Sequence, residues 1–70
     1  MNTRTEAVLA YIKAFWHAND YSPSIKDIQT ALGISSTSVV HLHLRLLAKA
    51  GLIKTTPKVS RSIVVQEGEN

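Results

Sequence analysis

Seventy residues with no cysteine, 44% hydrophobic side chains and a formal net charge of +3 make one small domain with an aliphatic core, near the size at which burial alone gives marginal stability. The missing thiols exclude disulfides, thiolate metal sites and thiol catalysis, and they favour a reducing compartment, so a cytoplasmic location is expected. The apolar run near the amino terminus, Ala7 to Trp16, is interrupted by Lys13 and preceded by Glu6, which makes it too short for a membrane span and poorly shaped for a signal peptide.

Thr3 with Glu6 three residues later has the spacing of a capping box and predicts the start of a first helix. At 100° per residue Val8, Tyr11, Ile12, Phe15 and Trp16 gather on one side, while Glu6, Ala10, Lys13 and His17 face away. Asn19 and Asp20 tolerate the left-handed conformation that ends helices, and Ser22 before Pro23 is pushed to an extended one, so this helix ends near Asn19. Ser24 then caps a short second helix. Asp27 favours its positive end, Ile25, Ile28 and Leu32 share its inner face, and Gly33 closes it.

Ile34 leads into four consecutive hydroxyl residues, Ser35, Ser36, Thr37 and Ser38, and then a third helix from Ser36 to about Ala50. Two helices joined by a tight Gly-containing turn, the second opened by small hydroxyl residues, form the helix-turn-helix pattern. With Val40 as origin, Leu44 and Leu47 lie within about 40° and make the core stripe. The opposite face holds Ser38, Leu42, Arg45 and Lys49, flanked by Val39 and Leu46. A leucine centred between two bases and a hydroxyl suits a major groove, where thymine methyls, base acceptors and phosphates meet such a mixture. The same patch would also serve a protein contact.

Gly51 stops the third helix, and Lys49 beside it suits the negative end of the dipole. The period then changes. Leu52 to Thr56 reads as a strand, Pro57 to Ser60 as a turn, and Arg61 to Val65 as a returning strand rich in β-branched residues. The hairpin must lean on the helices through Ile53, Ile63 and Val65, and its tip region should present Lys58 and Arg61 with no balancing acid. Charge follows the same division. The 38 positions from Ile28 to Val65 hold no Asp or Glu but five bases, Arg45, Lys49, Lys54, Lys58 and Arg61, for a net of +5. The other 32 hold three bases against five acids, a net of −2. A half-domain that excludes negative charge suits a polyanion, since each neutralised phosphate releases counterions.

The fold class is therefore mainly α with a small β-hairpin, a three-helix winged helix-turn-helix over residues 1–65, and Gln66 to Asn70 as a tail or the start of a linker. The segment YSPSIKDIQTALGISSTSVVHLHLRLLAKAGLI (Tyr21 to Ile53), followed by SRSIVV (Ser60 to Val65), resembles the DNA-binding domain of LexA-type repressors. The motifs that carry the likeness are Pro23-Ser24, Gly33 with Ser36, His43-Leu44, Leu47-Ala48, Gly51-Leu52-Ile53, and Arg61 followed by Ile63. The resemblance implies a third helix docked in the major groove and a wing touching the backbone. By position it sets Ser36, Ser38, Val39, His41 and Leu42 at or near base edges and adjacent phosphates. His41 and Leu42 stand where some members of the family carry acidic residues, so a different base sequence is expected here, and the wing lacks the glycine often found at its tip. The family's self-cleaving peptidase and dimerisation domain has no counterpart in these residues, so no proteolytic switching by the chain is expected.

For DNA contact, Ser35, Ser36 and Thr37 combine hydroxyls with backbone N–H groups at a positive helix end, a phosphate grip or a plain cap. Arg45, Lys49, Lys58 and Arg61 should hold phosphates, although Arg45 lies far enough along the helix that plain solvation is the competing expectation for it, and Lys26 near the start of the second helix is in reach of the backbone. His41 and His43 point about 200° apart on a helix, with no Cys or acid near them in sequence, so no metal is expected. His43 sits at the edge of the core face as a structural residue. The serine cluster lacks a base and an orienting acid, so neither catalysis nor a cofactor is expected. The function these features predict is a sequence-specific, double-stranded DNA-binding transcriptional regulator of repressor type, bound as two copies on a two-fold related site. The competing expectation is a winged helix for protein assembly through Val39, Leu42 and Leu46.

Overall fold

The computed structural model describes residues 2–56, 58–59 and 61–66. Pro57 and Ser60 of the expected wing turn, and residues 67–70 of the expected tail, lie outside the described residues. Three helices, α1 (Thr3–Asn19), α2 (Ile25–Leu32) and α3 (Thr37–Lys49), precede a two-stranded antiparallel sheet of β1 (Ile53–Lys54) and β2 (Val64–Val65). The register pairs Ile53 with Val65 and Lys54 with Val64.

Local chemistry sets most of the helix ends. Ser24 caps α2 as its sequence predicts, and Asp27 does more than sit near the dipole. The Ser24 hydroxyl accepts from the Asp27 N–H and the Asp27 carboxylate accepts from the Ser24 N–H, both at 3.0 Å, completing a capping box. Ser36 caps α3 by accepting from the Ser38 N–H at 3.1 Å. Gly51, at φ +80°, closes α3 with a Schellman pair: its own N–H donates to the Ala48 carbonyl, and the Leu52 N–H donates to the Leu47 carbonyl. Asp20, at φ 62°, ends α1 in the left-handed region, as an Asp can.

The start of α1 differs from expectation. Asn2, not Thr3, is the cap, and its Oδ1 accepts from the Thr5 N–H at 2.8 Å and from the Thr5 hydroxyl at 3.0 Å. Thr3 and Glu6 have the correct spacing, but Asn is at least as good a cap as Thr, and a tertiary contact selects the earlier register. The buried Thr5 hydroxyl also lies 2.9 Å from Nδ1 of the buried His43 on α3. Because Asn2 Oδ1 can only accept, the Thr5 proton points there and His43 Nδ1 is the donor. His43 is thus a structural residue tying α3 to the start of α1.

The core gathers Val8 and Ile12 from α1, Ile28 from α2, Ile34 from the turn, Val40, Leu44 and Leu47 from α3, and Ile53 and Ile63 from the wing. Burying each of these aliphatic side chains is worth about 1.5–3 kcal/mol. Tyr11, Trp16, Ile25, Leu32 and Val65 pack half-buried around them.

The ladder is shorter than the strands read from sequence, because Thr56, Val59, Ser62 and Ile63 direct their hydrogen bonds elsewhere. The Ser62 hydroxyl accepts from the Thr56 N–H and lies within reach of the Thr56 and Val59 carbonyls. Lys58 and Arg61 are left-handed, at φ 65° and 52°, which no regular strand accommodates. Instead of pairing with β1, the Ile63 peptide is stapled to the helices: its N–H donates to the buried Ser22 hydroxyl at 3.0 Å, and its carbonyl accepts from the Trp16 indole N–H at 2.9 Å.

Candidate nucleic-acid interface

Packing Val40, Leu44 and Leu47 inward turns the opposite side of α3 to solvent. Ser38, His41, Leu42, Arg45 and Lys49 are exposed there, and Leu42 keeps 47% of its surface. Ahead of them, Ser35 and Thr37 are exposed and the capping Ser36 is half-buried. Val39 does not belong fully to this face, since it is half-buried and packed against the core. Leu46, at 40% exposure, continues the apolar flank.

On its other flank α3 borders an open groove of about 830 Å³, closed by the start of α2 and by the wing. Lys26, His41, Arg45, Lys58 and Arg61 line it, and among the described residues no Asp or Glu does. Three elements separated in sequence therefore bring their bases to one concave surface that is continuous with the outer face of α3. Low-dielectric walls carrying one sign of charge focus the field outward, toward a polyanion. Lys49 and Lys54 are exposed but are not among the groove's lining. Among the described residues, the pair from Arg61 to Asp27 is the one salt bridge, so Lys26, Arg45 and Lys58 have no carboxylate partner there.

Arg61 corrects the expectation of an unbalanced charge at the hairpin tip. Its Nη1 donates to Asp27 Oδ2 at 2.9 Å and to the Ser22 carbonyl at 3.1 Å. The guanidinium carbon also stands 5.2 Å from the Tyr21 ring centroid and 6.0 Å from that of Phe15, within cation–π range. Phe15 meets Tyr21 edge-on at 5.4 Å and Tyr11 at 6.0 Å. Arg61 thus lies at the root of the wing, laid across the aromatic edge of α1 and the connection to α2. The Asp27 carboxyl is held below its ordinary value, first by the Ser24 backbone N–H, with the Ser24 hydroxyl and Arg61 adding to the effect. The Tyr11 phenol is pushed above its usual value by burial and secondarily by Asp27.

Sequence reasoning missed this anchoring set of Trp16, Ser22 and Asp27. Each had a sufficient local role, as an inner-face aromatic, a pre-proline residue or a cap, and nothing in one dimension links positions 22 and 27 to 61. For a metal, the described residues offer no group of three His, Cys, Asp or Glu side chains. No described helix is long and apolar enough to cross a membrane.

A short Gly-closed turn between α2 and α3, an outward-facing α3 and an antiparallel wing beside it define a winged helix-turn-helix protein. Within that class the chain belongs to the LexA DNA-binding domain family, whose model, LexA DNA binding domain, matches residues 1–62. It is 42% identical over 69 residues to a LexA repressor of Herpetosiphon aurantiacus, covering 99% of this chain and 32% of that protein. Against the LexA repressor of Halalkalibacterium halodurans the identity is 40% over 70 residues, 100% of this chain and 34% of the relative. A LexA repressor of Roseiflexus sp. is 42% identical over 66 residues, 94% of this chain and 30% of its own length. The chain spans about a third of the length of the curated relatives it matches.

Proposed function

We propose that this chain is the sequence-specific, double-stranded DNA-binding part of a LexA-type transcriptional repressor, working in the cytoplasm without a catalytic step of its own. The observation that carries the reading is the groove, with no Asp or Glu among its described lining residues, in which Lys26, Arg45 and Lys58 converge beside the exposed face of α3. In this reading α3 enters the major groove with Ser38, His41 and Leu42 toward base edges, and Ser35, Ser36 and Thr37 approach a phosphate at its start. Arg45, Lys49, Lys58 and Lys26 hold the flanking backbone. In this reading Arg61 fixes the wing, so its effect on DNA passes through Lys58 rather than through a phosphate of its own. One such domain makes few contacts, so tight binding requires two copies on a two-fold related site.

The test is binding to labelled random duplexes across a salt series. About five phosphate contacts predict a 10²- to 10³-fold loss of affinity between 50 and 200 mM salt. Affinity independent of salt removes the proposal. The rival reading, a protein contact through Val39, Leu42 and Leu46, draws on the exposure of the two leucines. It requires that Leu46→Ala dissociate an oligomer while leaving DNA affinity unchanged.

A further inference from the structure

Within the DNA-binding reading, the outward side of α3 also carries information about which bases it meets. Leu42 lies nearly opposite the buried Val40 on the helix and keeps 47% of its surface exposed. One turn before it is Ser38, one turn after it is Arg45, and both are exposed and hydrophilic. At 1.5 Å per residue these three positions span about 10 Å of helix, or about three base-pair steps at 3.4 Å each. A groove edge facing them meets a hydroxyl, then an apolar side chain, then a cation.

Leucine has no donor or acceptor. A cytosine amino group, a purine N7 or a carbonyl oxygen pressed against it would lose water with nothing in exchange. The major-groove edge offers one apolar group, the C5-methyl of thymine. We infer that Leu42 is a specificity-determining residue of this domain and reads a thymine methyl, so that the bound site carries T·A at the base pair under the middle of α3. Burying a methyl against the leucine is worth roughly fourfold in affinity.

The test uses duplexes that the chain itself selects from a random pool, with each thymine replaced in turn by deoxyuridine, which removes the methyl and keeps every hydrogen-bonding group. One thymine in each half-site should show about a fourfold loss, and 5-methylcytosine at that position should bind more tightly than cytosine. Leu42→Ala should bind the thymine and deoxyuridine duplexes equally, while Leu42→Met retains the difference. Both variants change one exposed helix position, and far-UV circular dichroism checks that each stays folded. If the pool yields selected sites but no thymine methyl matters, or if Leu42→Ala keeps the sensitivity, this inference fails and the DNA-binding reading survives. If no sequence is selected at all, the DNA-binding reading itself fails.

Discussion

The root of the wing around Arg61 and the outer face of α3 around Arg45 border the same groove and carry the same charge, yet their surroundings are opposite. Arg61 is laid over Phe15 and Tyr21 and bonded to Asp27 and the Ser22 carbonyl. Arg45 is exposed, lines the groove and has no carboxylate partner among the described residues. A guanidinium that already has a carboxylate, a carbonyl and ring faces is a positioning device, and one that has none of these is available to a ligand. The count of positive charges is identical in the two cases. Their partners decide what each charge is for.

Substitutions at the two places should separate stability from binding. The largest effect belongs to the wing root, where Ile63→Ala should cost about 2–5 kcal/mol in urea unfolding, because it empties a core position shared by wing and helices. Ser22→Ala follows at about 1–3 kcal/mol, since it leaves the buried Ile63 N–H without an acceptor. If Ser22→Ala is neutral, the staple between wing and helices is not what holds the hairpin.

On the α3 side the readout changes from stability to DNA. Arg45→Ala should lower the salt slope of binding by about one and weaken all duplexes alike, with stability within about 0.5 kcal/mol of the parent. Arg61→Ala should do the reverse. Its salt slope should stay closer to the parent's, and its unfolding free energy should fall by only about 0.2–1 kcal/mol, because the ion pair is partly exposed and screened. Equal losses of salt slope from the two arginines would erase the distinction drawn between them.

The smallest effect is one of pH. The Asp27 carboxyl is held below its ordinary value in the folded chain, above all by the Ser24 backbone N–H. The folded state therefore binds this proton less readily than the unfolded one. The stability it contributes is fully present above the ordinary carboxylate value and is lost as pH falls through the lowered one. Asp27→Asn should flatten that acid limb of an unfolding-versus-pH profile, and an unchanged limb would show that Arg61 and the cap do not act on this carboxylate.

Much of the architecture was legible in one dimension because its causes are local. Ser24 and Asp27 at i and i+3, Gly33 and Gly51 where left-handed residues are needed, and the inner stripe of Val40, Leu44 and Leu47 define helices and their faces from the chain itself. The exposed side of α3 follows by subtraction, which is why Ser38, Leu42 and Arg45 could be singled out. The hairpin was legible in its order but not its extent, since β-propensity in residues 61–63 yields to the bonds of Ile63, whose carbonyl accepts from Trp16 and whose N–H donates to Ser22.

Sequence alone thus determined which segments are helical, which residues face inward and where positive charge accumulates, because capping, periodicity and composition act over a few residues. Tertiary structure decided that Asn2 rather than Thr3 caps α1, through the contact from Thr5 to His43, and that Arg61 anchors the wing, through Asp27 and two aromatic rings. Those outcomes depend on residues far apart in the chain, 38 positions from Thr5 to His43 and 34 from Asp27 to Arg61. No local preference can choose between partners that only folding brings within 3 Å of each other.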